Sequence, residues 1–543
     1  MTDSSTLEEG RQCLARTADA SGLSFVRSML PASVAGKVAL LTVAFLVLRL
    51  ALAAAIPLSI DEAYAVVVSR SHALSYFDHP PLGFALARLM ADTFDCECRF
   101  VVRLPYVILG SLSGLLLFDL TRRAYGSGAA LWALAWYSVA PFFLISAGHF
   151  VVPDGPLNFF LLASAWAVAP MLIDEGAGTP RHALPRWIVA GVALGLALMS
   201  KYQAGLFGIS ALILLVSTKA GRAQLATPGP WIAGALAALG LAPVVLWNME
   251  HGWISFAFQS SRGLEAEQHL LHPGNLALTL LGQVAYLLPG TWLVMMAGMW
   301  RGIAPDAGRA DRFFALLSAL PVVFFDLAAL FSAHSLPHWP MSGFLFAFPF
   351  LGRWCADRSE RGLAWVSGFL TAAVIAIPLL AIGFALQTGT AAFTRPFFDR
   401  AQSFDVNWQH VDWTALRGAA QADLAGPDSY VVASNWMQGA RIALALGPGV
   451  PMEMLPGDIR HFQFMNDIRL STRSRGFLVG ALRFDDEASA EAWLRAGLDG
   501  RFVVTGEARH VTQRLAGFPV FDILILPVAR SDPERRAADP HKR

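Results

Sequence analysis

The sequence predicts a mainly α-helical, polytopic membrane protein with about eleven transmembrane helices and a C-terminal extracytoplasmic α/β soluble domain. Three observations lead there. Of the 543 residues, 55% are hydrophobic and 15% charged, against roughly 25% charged in soluble globular chains. Apolar runs recur through residues 37–387, near the ~20 residues a helix needs to cross a bilayer core of about 30 Å. Beyond residue 388 polar and charged residues return, and short apolar patches alternate with helical patterns. A formal net charge of +1 supplies no global field for a nucleic-acid partner.

Residues 1–36 are mixed and polar and lack the basic region, short apolar core and cleavage site of a secretory leader. They are expected to form a cytoplasmic N-terminal segment ahead of a retained first span. Spans are expected at 37–57, 101–120, 129–148, 156–173, 187–200, 203–218, 230–247, 276–299, 313–332, 341–352 and 363–386. The break at 200–203 and the short 341–352 run fit the length rule least well. Orientation follows from Lys and Arg, which concentrate in short cytoplasmic loops. One alternating set of connections holds Arg122-Arg123, Arg181 and Arg186, Lys219 and Arg222, Arg301, Arg309 and Arg312, and Arg353, Arg358 and Arg361. That set is expected in the cytoplasm. The other, with Asp61-Glu62-Asp78, 149–154, Lys201, 248–272 and 334–338, is expected to face the periplasm or cell exterior.

Residues 37–387 thus form the expected membrane domain and 388–530 the soluble one, with strands near 429–434, 476–482, 501–506 and 521–528 and a helix near 486–498. Residues 531–543 are expected to be a disordered, charged tail. The four cysteines form no metal-ligand pattern, and Cys96-x-Cys98 is close-set for an unstrained bridge.

Every polar cluster of interest falls in the outer set. Asp61-Glu62 follows the first span and Asp154 the third, so carboxylates from two loops stand at one membrane level. Asp154, ahead of Gly155 and Pro156, also suits a helix N-cap. Lys201 interrupts two apolar runs, where an ionisable side chain is costly and marks a functional site by default. A snorkelling lysine is the plainer alternative. His334 and His338 lie beside Trp339 at another outer mouth, and the aromatic 246–262 segment offers His251, Gln259 and Arg262 for sugar or phosphate contacts. Asp78-His79-Pro80-Pro81 folds the first outer loop back, with Tyr64 and Tyr76 as sugar-stacking groups.

Outside the cytoplasm neither nucleotide sugars nor ATP are supplied, so transfer there draws on a lipid-linked, phosphate-activated group. A phosphate leaving group needs electrostatic support more than a general acid. The acceptor hydroxyl needs a base. Asp61 is the expected base, with Glu62 assisting or binding a metal and Asp154 orienting the acceptor or adding to the electrostatics. In-line attack inverts the anomeric centre.

The motifs DEAY (61–64), YFDHPPL (76–82), PDGPLNFF (153–160), SKYQ (200–203), PVVLWNMEHGWISFAFQ (243–259) and LPHWP (336–340) occur in an order that resembles the bacterial GT-C glycosyltransferases. These are glycosyltransferase family 39-like proteins, related to protein O-mannosyltransferases and to the aminoarabinose and galacturonosyl transferases of lipid A. The resemblance covers about residues 40–350, and 428–449 is more weakly similar to the outer domain of the bacterial members. It implies a GT-C membrane fold, a polyprenyl-phosphate sugar donor and a catalytic role for Asp61 and Glu62, with the second outer-loop acid on Asp154. Tyr64, Asp78, His79, Lys201, Tyr202, His251 and His338 form the expected donor- or substrate-binding set. A divalent cation, Mg2+ or Mn2+, is left open, with Asp61 and Glu62 as candidate ligands. The expected acceptor is lipid A, core oligosaccharide or another envelope glycan, and a protein Ser/Thr is the alternative. A lipid or solute transporter or flippase is the non-enzymatic alternative, although no inverted repeat is visible.

Overall fold

A computed structural model describes residues 33–174, 183–264, 271–332, 335–424, 426, 428–465, 470, 472–498 and 500–531. Residues 1–32, most of the expected tail, Arg181 and His334 lie outside the described residues. Among the described residues, seven helices are long and apolar enough to cross a membrane, or nine if each of two bent pairs counts as one span. Eleven spans are therefore not confirmed.

Val34–Ala55, Asp154–Leu172, Ala183–Ser200, Arg309–Phe331 and Ala364–Thr390 lie on expected spans. Arg99–Val139 breaks at Gly126, whose φ of 82° is costly for any residue with a Cβ. The chain doubles back there, because the Tyr137 hydroxyl donates to the Gly110 carbonyl at 2.8 Å. In a straight helix those residues would stand about 40 Å apart. The element is thus two antiparallel arms, corresponding to the runs at 101–120 and 129–148.

Other expected spans are broken. Residues 276–299 divide into Pro273–Leu287 and Pro289–Ile303, bent by 107°. Leu288 has φ 71° and precedes a proline, which lacks the N–H a helix needs and disfavours helix in the residue before it. Ala204–Ser217 bends by 101° into Lys219–Leu225. The 341–352 run is a short helix, a 3-10 turn and the start of Phe348–Glu360. It is buried throughout, so its apolar sequence reflects the middle of the bundle.

Helices approach closely where side chains are small. A Cβ on Gly191 would come within 2.5 Å of the Ala233 backbone, and one on Gly240 within 2.5 Å of Gly195. Such small-residue seams allow packing where lipid supplies no hydrophobic drive between helices.

After Thr390 the chain builds a mixed sheet from β1 (Ser429–Ala433), β2 (Met452–Met454), β3 (Arg475–Leu482), β4 (Phe502–Val504), β5 (Arg509–Leu515) and β6 (Phe518–Arg530). Its order is β2-β1-β3-β6-β4, with β5 also on β6. β1 runs parallel to β2 and β3, and β6 antiparallel to β3. The sequence does not reveal β2, which is three residues long, or β5, whose RHVTQRL is largely polar. The Trp436–Leu446 helix lays Trp436, Ala440 and Ala443 against Tyr64, Tyr76 and Phe84, joined by Phe462. The soluble domain is therefore seated on the first outer loop. Cys96 and Cys98, close-set as they are, are paired in that loop.

Gly191→Leu is expected to lower the melting temperature of the detergent-purified protein by several degrees, through overpacking at the Ala233 seam. Gly205→Ala, where a Cβ meets nothing within 4 Å, leaves it in place.

Candidate functional site

Ser59-Ile60-Asp61-Glu62 opens a nine-residue helix, Ile60–Val68, through a capping box. The Ser59 hydroxyl accepts the Glu62 N–H at 3.3 Å and a Glu62 oxygen accepts the Ser59 N–H at 2.8 Å. Glu62 also receives Arg103 Nε at 2.7 Å, Arg103 Nη2 at 2.6 Å and the Val151 N–H at 2.9 Å. The remaining Arg103 donors go to the carbonyls of Ala53, Ile56 and Pro57 at 3.0, 2.6 and 3.1 Å. Those groups close the end of the first span, where helical carbonyls lack partners. Both side chains of the pair are 0% exposed. Burial pushes the Glu62 carboxyl up, but Arg103 and the two backbone N–H groups more than reverse this and hold it at about 2. Both its oxygens are taken twice over. Both Glu62 oxygens are thus engaged by protein donors, which argues against the assisting or metal-binding role expected of it and leaves Asp61 as the open carboxylate of the pair.

Asp61, one position earlier, points elsewhere. It is exposed, and among the described residues its carboxylate has no hydrogen bond or ion pair. Protein still crowds it, and burial raises its pKa. Arg460 opposes that rise, Asp78 and Glu62 add to it, and Arg441 opposes it. Asp78 is buried at 2% exposure. It accepts the Tyr64 hydroxyl at 3.1 Å and faces Arg460 Nη1 at 3.4 Å, while its carbonyl accepts Gln259 Nε2 at 2.6 Å.

Tyr64 and Tyr76, the expected stacking groups, both have buried rings, which does not favour sugar stacking. Tyr64 lies edge-on to Trp436 at 5.2 Å, and its role is to hold Asp78.

Asp154 is the first residue of its helix and makes no cap hydrogen bond; Pro153 occupies the cap. Lys201 Nζ stands 3.0 Å from each Asp154 oxygen, with little exposure on either side. Lys201 is thus paired rather than snorkelling. His338 and His79 lie within electrostatic range of Asp154. Burial holds the His79 pKa down, and Asp78, Lys201 and Arg460 also act on it. Asp61 and Asp154 make no direct contact among the described residues. Asp78 and His79, adjacent in sequence, connect their two clusters.

His251 packs among aromatic rings, while Tyr202 lies within electrostatic range of Asp78. His251 stacks on Trp247 at 4.1 Å and meets Phe464 edge-on, and Tyr202 packs on Phe256. The side chain of Arg262 lies outside the described residues.

Sequence reasoning missed Arg103, Arg441, Arg460 and His461. Arg103, a charge inside an apolar run, carried a signal of its own. The other three come from the soluble domain. Arg460, at φ 45°, lays its guanidinium over Trp436 at 3.7 Å. His461 joins the loop through Phe77 N–H and Ser71 Oγ, both at 3.2 Å.

Residues 78–247 match the family described as dolichyl-phosphate-mannose-protein mannosyltransferase. A lipid A galacturonosyltransferase, RgtD, of Rhizobium johnstonii is 24% identical over 297 residues, 53% of this chain and 58% of the relative. The match thus spans less than two thirds of that protein. The crystal structure of ArnT from Cupriavidus metallidurans in the apo state superposes with a TM-score of 0.59 at 14% identity, covering 91% of this chain and 98% of that one. The same protein bound to undecaprenyl phosphate gives 0.59 at 15% identity, with the same coverage. The chain has the GT-C fold.

Glu62→Ala would strand the Arg103 charge in the core, at a cost on the order of 3–5 kcal/mol, read as a lower midpoint of thermal unfolding. The folded-state value of Glu62, about 2, lies below its ordinary 4.5. Its stabilisation is therefore complete above pH 4.5 and is lost as the pH falls toward 2. Unfolding of Glu62→Ala followed over that window shows a correspondingly weaker acid dependence.

Proposed function

We propose that this chain is a membrane glycosyltransferase that moves a sugar from a polyprenyl-phosphate donor to an envelope acceptor, lipid A, core oligosaccharide or another glycan, on the periplasmic face of a bacterial inner membrane. The observation that carries this proposal is Asp61, an accessible carboxylate with no hydrogen bond or ion pair among the described residues, fixed beside a buried ion pair and within electrostatic range of two guanidinium groups. Burial raises its pKa above the ordinary carboxylate value, the direction that strengthens a carboxylate as a general base. In this mechanism Asp61 takes the proton of the acceptor hydroxyl as that oxygen attacks the anomeric carbon. The bond from that carbon to the phosphate oxygen breaks, the configuration inverts, and the polyprenyl phosphate leaves as an anion. Lys201 and Arg460 are the cationic groups at hand for that charge, with His338 beside Asp154. Lys201 is held by Asp154, so an arriving donor phosphate competes with a carboxylate for the same ammonium. A lipid A transferase among the relatives and an undecaprenyl phosphate complex among the similar structures support the donor and acceptor classes.

The test is transfer by the purified chain in lipid nanodiscs, supplied with polyprenyl-phosphate sugars and envelope acceptors and read by mass spectrometry. A sugar added to a lipid or glycan supports the proposal, one added to protein serines moves the acceptor, and donors left intact with every acceptor remove the transferase reading. Asp61→Asn is expected to lose ~10²–10⁴-fold in turnover while still binding undecaprenyl phosphate. Because the base works ionised, kcat/KM rises with pH through the elevated pKa of Asp61. This acid limb lies above the ordinary carboxylate value of 3.8 and vanishes from the residual activity of Asp61→Asn. Lys201→Met is expected to weaken binding of undecaprenyl phosphate, measured by calorimetry.

A further inference from the structure

A cleft of about 770 Å³ opens between the first outer loop and the soluble domain. Leu58, Leu444, Trp413 and Val450 give it apolar walls, and Arg88, Arg99, Arg417 and Arg441 give it cations. Arg441 is the unusual member. It is 3% exposed, and one of its nitrogens, Nη2, donates to the Gln409 carbonyl. Its Nε and Nη1 are buried with no partner among the described residues. Unpaired buried donors of a charged group cost more than ordinary hydrogen bonds return, and these donors belong to a guanidinium lining a cavity.

Three acids line the cleft, Asp95, Glu97 and Asp412, and none pairs with Arg441 among the described residues. Asp412 is the foremost charge acting on Arg441, yet no ion pair joins them among the described residues. Glu97 is already held by Arg70 at 2.5 Å and Arg88 at 2.9 Å. Arg99 and Arg417 each use one donor on a backbone carbonyl, Ala55 at 3.2 Å and Ala445 at 3.0 Å. Ala55 ends the first span, so the cleft begins where the chain leaves the membrane. Its inner residue, Arg441, lies near enough to Asp61 for the two charges to act on one another.

We infer that this cleft is the acceptor site and holds a phosphorylated glycolipid by its phosphate monoester, which Arg441 pairs in the fork geometry of a guanidinium while the apolar walls take the lipid-proximal body. This inference rests on the transferase reading for the word acceptor, and names its substrate class. The amphiphile enters from the membrane surface beside Ala55 and Leu58, and the phosphate anchored at Arg441 brings a nearby hydroxyl toward Asp61.

The test is equilibrium binding to the full-length protein in phosphatidylcholine nanodiscs, using lipid A with its phosphates and the same lipid after phosphatase treatment. The phosphorylated lipid is expected to bind about tenfold or more tightly, and Arg441→Met and the exposed Arg417→Glu to lose that preference. Arg417→Glu keeps its affinity for undecaprenyl phosphate. If Arg441→Met does not fold, Arg417→Glu and Arg99→Glu carry the test. Equal affinity for the two lipids, or variants that keep the full preference, would overturn the proposal. Inorganic phosphate competing at the affinity of the lipid would overturn the assignment to an amphiphile. Because binding needs no turnover, the two readings fail separately: transfer with an unchanged acceptor KM in Arg417→Glu removes the cleft and leaves the transferase. Phosphate-selective binding without transfer from any donor removes the transferase and leaves a lipid site.

Discussion

The five N–H groups of the Arg103 guanidinium and the two oxygens of Glu62 are paired out of water, and four separate pieces of chain supply their partners. Two charges moved from water into a protein interior cost several kcal/mol each unless geometry and hydrogen bonds offset the loss. Here the offset requires the end of the first span, the start of the loop helix, the arm carrying Arg103 and the strap at Val151 all to be in place. Val151 lies three residues before Asp154. The pair thereby fixes the level of Asp61 and ties it to the segment that carries Asp154. Asp61 can be left without a hydrogen-bonding partner because its neighbour in sequence is held so completely.

Around that anchor the charges divide into two clusters. Asp61 and Asp78 face Arg460, and Asp154 faces Lys201, with His79 between them. Each acid except Asp61 has a basic partner within ion-pair distance. A site that handles an anionic leaving group needs cations that are positioned and not permanently neutralised by one partner. The contact of Arg460 with Asp78 is long, at 3.4 Å, whereas Lys201 is held at 3.0 Å by both oxygens of Asp154.

Much of this was legible in the sequence, and the exceptions have physical causes. Apolar runs identified most spans because burial in lipid demands them, yet the buried 341–352 run obeys the same composition without the length. Ser59-x-x-Glu62 is a capping signature in plain view, but the acidic chemistry of Asp61-Glu62 drew both residues into one role. The structure separates them: one residue turns toward Arg103, the next away from it. Lys201 and Asp154 were each conspicuous, but their pairing depends on how two helices meet. Arg441 and Arg460 carried no local signal, because they lie in a soluble domain whose docking on the loop has no imprint in either segment alone. Tyr64 and Tyr76 looked like ligand groups because aromatic residues near acids often are; burial under Trp436 argues otherwise.

The contact between Tyr64 and His461 spans 397 positions of sequence. At a synthesis rate of ~5–20 residues per second, that separation amounts to roughly 20–80 s between the appearance of the loop and that of the segment completing it. Through that interval the nascent chain displays Asp61 without either guanidinium of the soluble domain. The sheet-containing C-terminal part must be made and folded before the first loop has its full set of charges. Competence is thus acquired at the end of biogenesis, and an unfinished chain left in the membrane carries the acid without the surroundings that tune it.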